Sequence, residues 1–291
     1  MKNKKVNELH DMDYKSKRKF LRKFASNPEI EEILDIMVDE ILVPNGSMLY
    51  KLDLSGLDGI IDDDEIKFLY GFKNKIFEMY GIDGITIYQY LRTFLIDGYL
   101  AFEIIYDEKA TKIIGFKELD PTSLRPDLEL RNRIFHKVWI QYDDNEELRR
   151  VLTDSQVIYI SYAKHNYSKT SYVESLVRSF KYLRMMEDFK VIRNLSSDIV
   201  DMYNINIDVE SDIRYFKDKL IRDSRIPDPT FKDNKFSLDE KEELRFARFK
   251  EKILSKFQEI FIKPLWIQFC IEYPQFQHNE TIKQNLKITY L

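Results

Sequence analysis

Four consecutive carboxylates, Asp62-Asp63-Asp64-Glu65, are the best candidate for a metal site in this 291-residue chain, because hard cations bind clustered oxygens. The same four residues can equally open a helix, where negative charge complements the N-terminal dipole, and this is the simpler account. Asp143-Asp144 falls between two expected strands and reads as a turn. His10, His136, His165 and His278 are scattered, without partners at ligand spacing, and Cys270 has no nearby histidine. No nucleophile elbow, phosphate-binding glycine loop, H-E-x-x-H or paired-cysteine motif occurs, and eight glycines leave little room for a nucleotide cradle. The residues therefore assign no catalytic group, no resident metal and no cofactor.

One stretch keeps an unexplained chemistry. Pro227-Asp228-Pro229-Thr230-Phe231-Lys232-Asp233-Asn234-Lys235 places an apolar ring and two cations on a proline-limited loop between two helical segments. Lys181, Arg184, Lys190 and Arg193 on an earlier helix can meet phosphates or a neighbouring chain, although solvent exposure is the default.

Composition sets the frame. Apolar residues at 44% and charged residues at 33% suit a folded chain with a sizeable core. No apolar run reaches the ~18 residues of a membrane span, and the N-terminal stretch lacks the apolar centre of a signal peptide. A single cysteine fits a reducing compartment, so a soluble, intracellularly made protein is expected. Residues 1–24 carry nine Lys or Arg against three acids, a local excess of six that leaves the remainder at −10 against an overall −4. Such a body is unsuited to gripping DNA over a broad surface, since phosphate affinity comes from Lys and Arg.

The elements follow from periodicity. Asn27-Pro28 is an N-cap and first helical residue for an apolar face built on Ile30, Ile33, Leu34, Met37, Val38 and Ile41. Pro44-Asn45-Gly46 reads as a turn and residues 48–54 as a strand. A second helix is expected from 62 to Met79 and a third from Ile87 to Ile96, capped by Thr86 and stopped by Asp97-Gly98. Tyr99–Tyr106 and Ile113–Leu119 read as a hairpin, with further strands at Ile134–Tyr142 and Val157–Ser161. Helix then dominates. A capping box at Ser171–Glu174 precedes a stripe of Val173, Leu176, Val177, Phe180, Leu183 and Met186, and a short helix runs from Asp212 to Arg222. A second box at Ser237–Glu240 opens a long helix with Phe246, Phe249, Ile253, Phe257 and Ile260 on one side, broken or restarted at Pro264. Residues 237–263 hold seven Lys or Arg and six Asp or Glu, a solvated face laced with intrahelical pairs. The fold class is α+β.

In order, NPEIEEILDIMVDEILV, FLIDGYLAFEIIYD with GFKELDPTSLRP, SYVESLVRSFKYLRMMEDFKVIRN, IRYFKDKLIRDSRIP and FSLDEKEELRFARFKEKILSKFQEIFIKPL resemble successive segments of the portal proteins of contractile-tailed bacteriophages. The resemblance covers most of residues 19–270. It implies a basic arm (1–26), an α+β wing (27–168), a first stem helix (169–196), a reduced clip (197–211), a second stem helix (212–224), a tunnel loop (225–236) and a long helix with a crown-proximal segment (237–291). It also implies a dodecameric ring at the capsid vertex of the virion, made in the host bacterial cytoplasm. Double-stranded DNA would pass through it, and the large terminase (the packaging ATPase), the major capsid protein and neck or head-completion proteins would be its partners. Pro227 to Lys235 would then face the channel, while Leu176, Phe180, Leu183, Met186, Lys181 and Arg184 would serve the stem and its subunit interface. Two departures stand out: about fifteen residues replace a substantial clip, and the sequence stops at Leu291 where the family continues into a crown. A minimal portal and a shortened sequence both fit. From the residues alone, a metal-dependent nuclease or nucleotidyl enzyme using Asp62–Glu65 and a non-enzymatic helical adaptor or scaffold remain alternatives.

Overall fold

The computed structural model describes residues 12–42, 51–57, 59–81, 84–131, 134–143, 147–163, 170–195, 209–226 and 236–289. The expected turn at 44–46, the strand residues 48–50 and the loop 227–235 lie outside them.

Two short helices lead. Helix α1 (Tyr14–Ala25) is capped by Asp13, whose carboxylate accepts from the Ser16 N–H at 3.0 Å. Helix α2 (Pro28–Leu42) buries Ile30, Leu34, Met37, Val38, Ile41 and Leu42, the apolar face its spacing predicts. Asn27 serves both helices: its carbonyl accepts from Glu31 N–H at 2.8 Å, while its side-chain amide donates back to Phe24 O at 2.6 Å. Strand β1 (Lys51–Asp53) follows, and then helix α3 (Asp63–Met79). The next helix, α4 (Gly84–Asp97), starts two residues before Thr86, so Thr86 is inside the helix and does not cap it. Gly98 ends α4 at φ +87°, and a Cβ there would come within 2.5 Å of Thr170 O. Both the backbone conformation and the close approach demand glycine.

The strands form small antiparallel sheets. β2 (Tyr99–Tyr106) pairs with β3 (Ile113–Glu118) and with β7 (Val157–Ser161) in the order β3-β2-β7. A second sheet orders β4 (Leu124–Arg131), β5 (Ile134–Tyr142) and β6 (Leu148–Thr153). β8 (Lys287–Thr289) pairs with β1. Alternation along β2 sends Leu100, Phe102 and Ile104 to the main helical core. Ala101 goes to a second core with Leu124, Trp139, Leu152 and Val157, so the β3-β2-β7 sheet is sandwiched between the helices and the second sheet.

Two polar hubs fix the sheets to each other. Arg150 grips Glu103 with both guanidinium N–H groups at 2.6 Å and donates to Gln141 at 2.7 Å. Asp154 accepts from Trp139 Nε1 at 3.1 Å and pairs with Lys137 at 3.2 Å and Lys263 at 3.1 Å. Burial alone would raise the Asp154 carboxyl; Lys263, Trp139 and Lys137 together hold it below its ordinary value.

Helices close the chain. α5 (Tyr172–Leu195) and α6 (Val209–Ser224) make a hairpin, followed by α7 (Phe236–Phe257), α8 (Glu259–Glu272) and α9 (Glu280–Asn285). Three expectations change. α6 begins at Val209, three residues before the expected start, and α7 at Phe236, which puts Ser237 inside the helix and not at its cap. The interruption between α7 and α8 falls at Gln258, while Pro264 lies within α8. A proline at 264 deprives the Ile260 carbonyl of its helical donor. Here the Tyr80 hydroxyl donates to Ile260 O at 2.9 Å and replaces it, so the helix continues.

Candidate functional site

The charged cluster resolves into helix capping. The Asp62 carboxylate accepts from Asp64 N–H at 3.0 Å and Glu65 N–H at 2.9 Å, and Glu65 returns the bond to Asp62 N–H at 2.8 Å. Asp64 pairs with Lys67 at 3.0 Å. No group of three or more His, Cys, Asp or Glu is placed to hold a metal among the described residues. Asp143 closes the β5–β6 connection, its N–H donating to Glu147 O at 3.0 Å; Asp144 lies outside the described residues. Burial pushes the Cys270 thiol up to about 11, which disfavours the thiolate a nucleophile needs. His278 is exposed; His10, His165 and the His136 side chain lie outside the described residues.

The α5–α6 hairpin is the other candidate. Ser171 Oγ accepts from Glu174 N–H at 3.2 Å, but Glu174 turns away to Lys17 at 2.7 Å, so only half of the expected capping box forms. Along the hairpin, Tyr172 donates to Ser224 O at 2.7 Å, Ser179 bonds Asp223, Tyr182 stacks on Phe216 at 5.4 Å and Lys190 pairs with Glu210 at 2.5 Å. Val173, Leu176, Val177, Phe180 and Leu183 are buried within the chain, with Phe180 edge-on to Phe24 at 5.2 Å and Met186 half-buried beside them.

The positions expected to serve a stem thus separate by what they touch. Leu176, Phe180 and Leu183 are spent on this chain's own core. Lys181 sits above the Phe20 ring at 5.8 Å, and Arg184 pairs with Glu29 at 2.5 Å and Glu187 at 2.8 Å. What α5 leaves outward is a different stripe: Met185, Phe189 and Ile192 are 50%, 41% and 60% exposed. Their spacing of four and three residues puts them on one face, a signal already present in the sequence but overshadowed by the stronger stripe opposite.

Pro227 to Lys235 lies outside the described residues, but both supports are visible. Arg225 takes φ +64° after α6 and lays its guanidinium over the Phe249 ring at 4.4 Å. Ile226 N–H donates to Ser224 Oγ at 3.3 Å, and Phe246 and Phe249 anchor α7 in the core. No helix among the described residues is long and apolar enough to cross a membrane.

No curated protein matches the chain. A family model does, over residues 15–209 and 200–291, two segments that meet between α5 and α6. Together they span the small sheets, the helical hairpin and the long helices, and the chain belongs to the T4-like bacteriophage portal protein (Gp20) family.

Proposed function

We propose that this portal protein assembles as a ring, of twelve copies by family resemblance, at one vertex of the capsid. Double-stranded DNA enters and leaves through its centre, and the packaging ATPase, capsid and neck proteins dock on it. The observation that carries this reading is the family match over residues 15–291, in the order wing, hairpin and long helix. Its two segments overlap at 200–209, within the short connector where a clip is expected, which agrees with a reduced clip.

The charge balance agrees. A channel must centre DNA without holding it, and each phosphate contact adds affinity that would act as a brake. A body at −10 outside its first 24 residues slides DNA well, provided a few cations touch it. Lys232 and Lys235, in the sequence between Arg225 and α7, are suited to that contact, with Phe231 as a bulky tip or a contact between copies. Ring closure needs two different patches that meet head to tail. The exposed Met185, Phe189 and Ile192 stripe supplies one apolar patch on the stem.

Electron microscopy of the purified chain tests the reading: rings with a central hole support it, and strictly monomeric particles overturn it. Phe189→Asp is expected to abolish rings while leaving the melting temperature unchanged, because the side chain is exposed. Leu183→Asp instead unfolds the subunit, because that residue is buried. With rings intact, Lys232→Ala with Lys235→Ala should alter packaging or DNA retention; normal packaging and retention would remove the loop from the mechanism.

A further inference from the structure

Charge is segregated between the first two helices. α1 carries Lys15, Lys17, Arg18, Lys19, Arg22 and Lys23 with no acid, and α2 carries Glu29, Glu31, Glu32, Asp35, Asp39 and Glu40 with no base. Much of this charge is consumed within the chain. Lys17 meets Glu174 at 2.7 Å, Arg18 meets Asp97 at 2.7 Å and Asp120 at 2.9 Å, and Arg22 meets Asp97 at 2.6 Å. On α2, Glu31 and Asp35 hold Arg92, Glu29 holds Arg184 and Glu40 holds Lys250 at 2.7 Å.

Some charge remains on each side. Lys19 and Lys23, one turn apart, are exposed and meet no carboxylate among the described residues. Glu32 and Asp39, two turns apart, are exposed and meet no cation among the described residues, and Ile36 between them is 40% exposed. Although α1 and α2 are consecutive and packed together, these four side chains do not pair with each other. Each copy therefore presents one basic and one acidic patch, distinct and complementary, which is what a head-to-tail contact requires and a self-matching two-fold contact does not.

We infer that Lys19 and Lys23 on α1 of one copy dock against the Glu32, Ile36 and Asp39 face of α2 on the next copy, adding a second interface to the stem contact. This inference rests on the ring reading above. The inward-facing pairs hold α1 and α2 to the body, so docking orders side chains but no further backbone. Ile36 supplies an apolar centre within a charged rim, the arrangement of a small specific contact.

Sedimentation analysis across protein and salt concentration tests it. Lys19→Glu with Lys23→Glu, and separately Glu32→Lys with Asp39→Lys, should each raise the concentration for half-assembly by about tenfold, since two exposed pairs per interface change from attraction to repulsion. Combining all four should restore assembly toward the original, and salt should weaken assembly of the unchanged chain. Measured below the concentration of assembly, melting temperatures close to that of the unchanged chain are expected for every variant. Reversed pairs that assemble normally, or a fourfold variant no better than its two parents combined, would overturn this contact while leaving the ring reading in place. An unaltered chain that never exceeds monomer mass would overturn both.

Discussion

At the scale of single residues, Pro264 shows how a local rule is overridden by one distant side chain. The sequence places a helix breaker amid an apolar helix and so predicts a kink or a restart there. Tyr80, 180 positions away in the chain from the carbonyl it serves, occupies the acceptor that proline leaves empty. The Tyr80 ring is meanwhile locked by Phe116 stacked at 4.1 Å and by Phe102 and Phe261 edge-on at 5.3 and 5.7 Å. Removing the hydroxyl strands a buried carbonyl, which costs about 1–3 kcal/mol. Tyr80→Phe is therefore expected to lower denaturation free energy by that amount. In a Pro264→Ala background the helix regains its own N–H donor to Ile260, so the same change should cost much less. A double-mutant cycle by urea unfolding measures the difference, and equal costs in both backgrounds would exclude the replacement role.

Among elements, the long helical pair guards the edges of the β3-β2-β7 sheet. Gln268 on α8 accepts from Ile113 N–H at 2.8 Å and donates to Thr111 O at 3.0 Å, imitating a strand partner beside β3. On the opposite edge, Lys263 donates to Val157 O at 2.8 Å, and Lys256 on α7 donates to the carbonyls of Ser161, Tyr162 and Ala163 at 2.7–2.8 Å. Burial lowers the Lys256 ammonium from its ordinary value, while the three carbonyls match its three N–H donors, one more than a neutral amine offers. Such covering blocks a ready template for pairing with another chain. Lys256→Met is expected to cost about 2 kcal/mol and to speed amide exchange at Tyr162, whose N–H donates to Gly98 O. Unchanged exchange there would mean the cation is incidental. None of this edge protection is legible from sequence, because it depends on a helix crossing the sheet about a hundred or more residues later. The strands themselves divide the same way. β2, β3, β5 and β7 are apolar enough to read directly, with β3 ending one residue early. β4 is disguised by Pro126 and its charges, tolerated because β4 is an edge strand, and β8 exists only through its pairing with β1. For the candidate site, the buried stripe of α5 was readable from its spacing. Which of its faces stays outward depends on α1, α4 and α6 packing against it, and that no periodicity reveals.

For the whole molecule, 18 tyrosines and a densely aromatic core make alkali the revealing perturbation. Burial raises the phenols of Tyr80 and Tyr172 far above the ordinary value, and pushes Tyr106 and Tyr159 up to about 12. These residues tie separate parts of the fold together: Tyr80 joins α3 to α8, Tyr172 joins α5 to the end of α6 through Ser224, and Tyr159 stacks on Trp139 between the sheets. A phenol that keeps its proton in the folded state but releases it near pH 10 when unfolded stabilises the fold fully below pH ~10. That contribution declines as pH rises toward the folded values, with a slope of up to about 1.4 kcal/mol per pH unit for each such group. The urea midpoint should therefore change little on this account through neutral pH and fall steeply between about pH 10 and 12. Tyr172→Phe should lower stability at neutral pH, by loss of its bond to Ser224 O, yet flatten the alkaline slope. Because Ser224 immediately precedes Arg225, the same variant should also loosen the seat of the Arg225 guanidinium on Phe249. An unaltered alkaline slope, measured by urea unfolding from about pH 9 to 12, would detach Tyr172 from this role.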